Sequence, residues 1–136
     1  MADLTITAAN VVKYDGARTT IGTAGETITA GQTLYRKAED GKLYKADAST
    51  AAKATCVGIA LNDAAANQPV VYLTAGGINP GATVVVGTIY GVTDTGGGIG
   101  PISEREAGDY ISILGVATTT SRINVVLSIS GVAIPV

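Results

Sequence analysis

"GQTLYRKAEDGKLYKADAST" (residues 31–50) holds two runs with strand character on either side of Asp40-Gly41. Asp and Gly both tolerate positive φ, so this dipeptide predicts a hairpin turn between the two runs. A two-residue loop sets Glu39 opposite Lys42, whereas a three-residue loop with a bulge at Gly41 shifts the register by one residue. A shift of one residue moves every side chain to the other face of the sheet. The sequence leaves both registers open.

A similar pattern recurs in "GTIYGVTDTGGGIGPISE" (residues 87–104), where Thr, an aliphatic residue and Tyr again follow a glycine. Three matches keep the same order at offsets of 55 to 57 positions: Thr33-Leu34-Tyr35 with Thr88-Ile89-Tyr90, Val57-Gly58-Ile59-Ala60 with Leu114-Gly115-Val116-Ala117, and Val70-Val71 with Val125-Val126. They indicate a pseudo-repeat of about residues 30–75 and 86–130. Two such halves suit a barrel or sandwich in which each covers the other's apolar face. Chance similarity between Gly/Val-rich strands is the alternative.

Length and composition indicate one mainly β domain. The chain has 136 residues, 46% of them hydrophobic, with 18 Gly and neither Phe nor Trp. Many β-branched residues and many glycines predict short strands joined by tight turns. We therefore expect a compact β-barrel or β-tulip-like domain over residues 26–136. Residues 1–25 are expected to form an extended N-terminal arm.

Local patterns predict further elements along the chain. Alternation in residues 4–7 suits a short edge strand, and Asp15-Gly16 marks a turn. The Ala-rich residues 48–55 predict one or two helical turns. We further expect a loop at residues 94–102, and a helical turn starting at Ser103, where Glu106 completes the spacing of a capping box. Further predicted strands are "CVGIAL", "QPVVYLTAGG", a most apolar run ending in "GTIYGVT", "YISILGVATTT" and "RINVVLSISGVAIPV".

One long stretch lacks charge altogether. Asp63 and Asp94 bracket thirty residues that contain neither Lys, Arg, Asp nor Glu. Such a stretch is either central core or a surface that another chain covers. The sequence leaves this choice open.

Composition excludes several classes of function. A net charge of −2 and a pI of about 4.9 argue against a nucleic-acid-binding surface. No secretory signal and no apolar run of 18 residues is present, so we expect a soluble protein without membrane contact. The absence of histidine removes the common nucleophile activation and the commonest metal ligand. The single cysteine, Cys56, lies in an apolar run and is expected to be a buried structural residue.

No motif predicts an active site or a cofactor. "TGGGIGP" has Pro101 where a dinucleotide fingerprint needs glycine, and no Gly-Lys-Ser/Thr follows it. Glu104, Glu106 and Asp109 are close enough in sequence for acid–base chemistry, but a solvated turn explains them equally well. We therefore expect no enzyme activity, no metal site and no cofactor.

The motifs together resemble the small capsid decoration (cement) proteins of tailed bacteriophages. That family's strand of Gly, a hydrophobic residue and Tyr matches residues 31–35, and its Asp-Gly-Lys turn matches residues 40–42. Its two Gly-containing strands match residues 57–60 and 114–117. The N-terminal "ITAANVVKYDGA" resembles the family's arm, so the resemblance covers nearly the whole chain.

The resemblance implies a structural virion protein that is made in the host cytoplasm. It would bind the outer surface of an expanded head as an oligomer, usually a homotrimer with a dimer as the alternative. There it would stabilise contacts between major capsid proteins. An arm of this kind can add a strand to a neighbouring sheet, although pairing within its own domain is equally compatible. The candidate contact residues of the arm are Leu4, Thr5, Ile6, Thr7, Val11, Val12 and Tyr14.

Two other functions stay open at the level of sequence. One is a head-fibre or tail structural component. The other is a carbohydrate-binding or adhesin-like β module, which clustering of Tyr35, Tyr44 and Tyr90 on one exposed face would favour.

Overall fold

The computed structural model describes residues 3–135 and is mainly β. Ten antiparallel strands form one strongly curled half-barrel sheet, accompanied by one short helix and two 3-10 turns. The elements are β1 (Val11–Lys13), β2 (Arg18–Thr23), β3 (Thr33–Arg36), β4 (Leu43–Lys45), α1 (Ala51–Ala54), β5 (Cys56–Ala60), β6 (Pro69–Pro80), β7 (Ile89–Val92), β8 (Ile99–Pro101), β9 (Tyr110–Thr119) and β10 (Arg122–Ala133), with 3-10 turns at Ala8–Asn10 and Ile102–Glu104.

The strand order is β4-β3-β5-β6-β10-β9-β7-β8, and β1 and β2 both pair with β6. Read inward from either edge, the order passes through a short hairpin, an inner strand and a long central strand. The two central strands, β6 and β10, pair with each other through Ile78 opposite Ile123 and Ala75 opposite Val126. β6 is therefore the strand on which both halves of the sheet and the N-terminal arm converge.

The strand pairing shows that the sequence match between β3 and β7 is wrong by one residue. Leu34 lies opposite Gly58, and a bulge follows before Tyr35. In the other half Tyr90 lies opposite Gly115, and a bulge again follows. Tyr90 thus occupies the position of Leu34, not that of Tyr35, because identical letters in a Gly- and Val-rich sequence do not report where a ladder is interrupted.

The central strands need a larger correction. Tyr72 of β6 lies opposite Ala60, and Ile123 of β10 lies opposite Ala117. Tyr72 and Ile123 are therefore the equivalent pair, and the match of Val70-Val71 with Val125-Val126 is wrong.

Two hydrophobic clusters stabilise the sheet. The main core lies between its two halves and includes Ile59, Leu73 and Ile123. A smaller cluster covers the opposite face of the first half, where Leu34 and Tyr72 pack with other buried residues: Ala24, Ile28, Leu43, Ala60, Ala64 and Val70. The first half of the sheet is thus covered on both faces.

The predicted hairpin forms, but neither predicted register is correct. Lys37 and Lys42 close the loop, since the Lys37 amide donates to the Lys42 carbonyl at 2.9 Å. The Gly41 amide donates to the Lys37 carbonyl at 2.8 Å. Four residues therefore separate the closing pair, and Glu39 is exposed at the tip instead of facing Lys42 across the ladder.

Four other local predictions are wrong. Residues 4–7 have no strand pairing, and the "GGGIGPI" loop contains β8. The 3-10 turn Ile102–Glu104 ends before Glu106, so Ser103 does not start a helical turn. Residues 84–86 lie outside any strand, and β7 begins only at Ile89. Residues 99–101 form a strand because they pair with β7, where Gly100 lies opposite Gly91.

The remaining element predictions are confirmed. α1 lies in the Ala-rich segment, and Thr50 caps it by accepting the Lys53 amide at 3.2 Å. β5, β9 and β10 lie within their predicted runs, and residues 15–16 form the expected turn. β6 begins in its predicted run, residues 68–77, but continues beyond it to Pro80. Cys56 is buried.

Candidate functional site

The N-terminal arm lies along β6 of its own chain. β1 pairs with one end of β6, with Val11 opposite Pro80, and β2 pairs with the rest, from Thr23 opposite Pro69 to Arg18 opposite Ala75. The turn at residues 15–16 joins these two strands. Of the two arm arrangements compatible with the sequence, the isolated chain has the one in which the arm pairs within its own domain.

The segment before β1 crosses the mouth of the half-barrel. The Leu4 amide donates to the Ile99 carbonyl of β8 at 2.7 Å, and the Thr7 amide donates to the Gly81 carbonyl at 2.8 Å. The arm therefore connects the outermost strand of the second half with the end of β6.

Side chains of this crossing segment and of β1 divide into two sets. Leu4, Ile6 and Val11 pack against the main core. A Cβ at Gly31 would lie 2.6 Å from Ile6 Cγ2, so a glycine is needed there for the arm to approach the sheet. Val12 faces outward and is 52% exposed.

Tyr14 is also engaged within the chain. Its hydroxyl donates to the Ser121 carbonyl at 3.2 Å, and the Arg122 guanidinium lies 4.7 Å from its ring centroid. Of the seven candidate contact residues, three therefore present exposed side chains to a partner: Thr5, Thr7 and Val12.

The most exposed part of the arm is β2, which the sequence did not single out. Five of its six residues are exposed, and Ile21 is 65% exposed. Among the described residues β6 is the only strand that pairs with β2, so the other edge of β2 is unpaired. The β-branched run "RTTI" was the sequence signal for this strand.

The cysteine and the three acidic residues singled out in the sequence have different surroundings. Burial raises the pKa of the Cys56 thiol to about 11, which disfavours the reactive thiolate. Asp109 Oδ2 lies 3.9 Å from Arg105 Nη1, whose side chain is almost completely buried, while Glu104 and Glu106 are exposed. Within residues 3–135, no group of three or more His, Cys, Asp and Glu side chains is placed to hold a metal ion.

A polar cleft of about 320 Å³ lies beside the first hairpin, lined by Glu26, Tyr35, Lys37, Tyr44, Lys45, Asp47, Lys53 and Gly96. The rings of Tyr35 and Tyr44 are 6.1 Å apart, and Lys37 Nζ lies 4.7 Å from the Tyr44 centroid. Tyr35 is buried, and burial is the main reason that its pKa is raised. Tyr90 lies in the main core, so the three tyrosines do not share one exposed face.

Comparison with known proteins identifies no relative: no family model matches the chain, and no curated protein matches it significantly. Across the described residues, the helices are too short or too polar to cross a membrane.

Proposed function

We propose that this chain is a capsid decoration protein of a tailed bacteriophage. It binds the outer surface of an expanded head as an oligomer, most simply a trimer, and stabilises contacts between major capsid proteins. The curled half-barrel would then be a β-barrel or β-tulip-like domain of two similar halves. The protein is made in the host cytoplasm and acts on the virion.

The observation that carries the proposal is the exposed edge strand β2. Its backbone groups on the edge away from β6 have no strand partner among the described residues, and its side chains are exposed. An unpaired edge can pair with an extended segment of another protein, because main-chain hydrogen bonds supply affinity without a pocket. Within the arm, β2 directly follows residues 6–17, on which the resemblance to decoration proteins partly rests.

The rest of the molecule suits the same role. The sheet is anchored by a continuous core, so the arm is presented by a rigid body. Several arms on one oligomer would bind several capsid subunits at once, which gives avidity without strong individual contacts.

The test compares head binding by two variants of matched exposure. Ile21→Lys places a charge on β2, and Val132→Lys places one near the end of β10, at exposures of 65% and 64%. We expect Ile21→Lys to weaken binding to purified expanded heads about tenfold, as loss of an interface hot spot does. Val132→Lys should bind like the unmodified chain, and circular dichroism should show both variants folded.

Point substitutions are preferable to deletion of the arm because Val11 belongs to the main core. Wild-type affinity of Ile21→Lys for heads would remove β2 from the interface. No binding of the unmodified chain to heads would overturn the proposed function itself.

A further inference from the structure

The uncharged stretch between Asp63 and Asp94 is only partly core. Val85 and Val86 are 65% and 57% exposed, and Ile89 at the start of β7 is 43% exposed. We propose that these residues belong to a self-association surface that a second copy of this chain covers. This aliphatic face comprises Val85, Val86, Ile89, Val116 and Val126.

Three members of the aliphatic face, Ile89, Val116 and Val126, are neighbours through the sheet. Ile89 lies directly opposite Val116, and Val116 lies opposite Asn124. Val126 is two residues beyond Asn124 on β10, so it points to the same side of the sheet. The loop that carries Val85 and Val86 is attached at its end, where the Gly87 amide donates to the Ala117 carbonyl at 2.8 Å.

The other half of the molecule shows what such a surface does when it is covered. Thr33 opposite Ile59 is the register equivalent of Ile89 opposite Val116, since a bulge follows one residue later in both strands. Thr33 and Ile59 have no exposed surface, because that face lies against the second half in the main core. The same two-strand surface is therefore core in one half and solvent-exposed in the other.

Charge distribution favours a second copy as the occupant. The three strands of the aliphatic face, β7, β9 and β10, contain one charged residue, Arg122, and its guanidinium packs on the Tyr14 ring. The five aliphatic side chains themselves carry no charge, so they offer no attraction to a charged partner, and two copies can meet on them without repulsion. Depletion of charge with exposed aliphatic groups is also the composition of interface centres.

The size of the face defines how strong this contact is. Five side chains with these exposures present on the order of 400 Å² of apolar surface, within the range of functional patches on monomers. A stable complex buries about 800 Å² on each partner. The contact between free copies is therefore weak, and it strengthens when copies are held side by side.

This inference deepens the oligomer of the proposed function, but its test needs only the free chain. Sedimentation of the full chain from micromolar to millimolar concentration should show reversible self-association. Val126→Lys should raise the dissociation constant about tenfold or more, because a lysine would be buried without a partner. Ile21→Lys is the matched control and should leave self-association unchanged, since Ile21 lies on β2 at nearly the same exposure as Val126.

Every outcome separates the two proposals. A chain that stays monomeric at millimolar concentration, or equal weakening by the two lysine variants, overturns the self-association surface. A monomeric chain whose Val126→Lys variant loses head binding assigns the aliphatic face to a capsid protein instead. Self-association that depends on Val126 in a chain that binds no heads supports the self-association surface and overturns the decoration function.

A second variant, Val116→Ser, should weaken self-association in the same direction without adding charge.

Discussion

The turns of the two edge hairpins differ in their surroundings. The turn between β3 and β4 is charged, and residues 38–41 are exposed. In the turn between β7 and β8, Gly97 is buried against the other half of the molecule. Its amide donates to the Ala46 carbonyl at 2.7 Å, and its carbonyl accepts the Thr33 amide at 3.1 Å.

This difference explains why one turn is charged and the other is glycine-rich. A charged side chain at Gly97 would be desolvated without a partner, which costs several kcal/mol in a buried setting. The charges of the β3–β4 turn remain in water and carry no such cost. The buried glycine thus indicates a neighbour, and here the neighbour belongs to the same chain.

The buried turn also closes the half-barrel. Residues just beyond β4 connect to the second half at two further points: the Ala48 amide donates to the Thr93 carbonyl, and the Tyr110 amide donates to the Ala48 carbonyl, both at 2.8 Å. The exposed turn makes no equivalent connection between the two halves within the described residues. We therefore expect substitutions in the two turns to differ in their effect on global stability.

The largest expected difference comes from one substitution made in both turns. Gly41 and Gly97 have φ of +71° and +79°, so alanine is strained at either position by about 1 kcal/mol. At Gly97 the added Cβ would also lie 3.0 Å from Gln32 Cβ, whereas at Gly41 it meets nothing within 4 Å. Gly97→Ala should lower the free energy of unfolding by about 2–3 kcal/mol and Gly41→Ala by about 1 kcal/mol. Equal losses in denaturant titrations would contradict the closing role of Gly97.

The next effect is the pH response of the exposed turn. The Tyr44 hydroxyl donates to Asp40 Oδ2 at 2.7 Å, and this hydrogen bond is the main reason that the pKa of Tyr44 rises to about 12. The same bond, with the Lys42 amide, lowers the pKa of Asp40. In Asp40→Asn the pKa of Tyr44 should fall toward its ordinary value of 10.0, as followed by ultraviolet titration.

The pKa shifts of Tyr44 and Asp40 affect the stability of the fold at opposite ends of the pH scale. The raised pKa of Tyr44 stabilises the fold at pH values below the ordinary tyrosine pKa of 10.0. This stabilisation is lost as the pH rises from 10 through about 12. A lowered pKa of Asp40 stabilises the fold above 3.8, and this is lost as pH falls through the depressed value. The protection of amides 37–42 against exchange, measured relative to the intrinsic exchange rate at each pH, should therefore fall at both extremes. No such change around Gly97 is expected, and a parallel change there would show that the two turns open together.

The smallest effect is expected from the tip of the exposed turn. Lys42 Nζ donates to Asn67 Oδ1 at 2.7 Å on the protein surface. Lys42→Met removes this bond and should change the free energy of unfolding by about 0.5 kcal/mol or less, as surface substitutions do. A loss above 2 kcal/mol would mean that the exposed turn contributes to global stability as the buried turn does.

Sequence reasoning predicted the secondary-structure elements better than the pairing and contacts between them. Residues 40–41 predicted the hairpin, since Asp-Gly is a local turn signal, but its loop length depends on how Arg36 and Leu43 pair. The match of Tyr35 with Tyr90 was wrong because the bulges that set the equivalence arise from pairing across strands. The sequence proposed a candidate arm, but which of its side chains face outward depends on the sheet that it crosses. β2 was missed because its surroundings, not its propensity, leave it as an exposed edge.

By itself, the sequence determined a mainly β chain of short strands, with a charged turn in solvent and an apolar run around Cys56. These properties follow from backbone preferences and side-chain solvation within a few neighbouring residues. Only the tertiary structure decided that Gly97 lies against its own chain and that Ile89 and Val116 remain exposed. Identical hydrophobic patterns give core or surface according to whether another layer covers them, and that depends on contacts between residues distant in sequence.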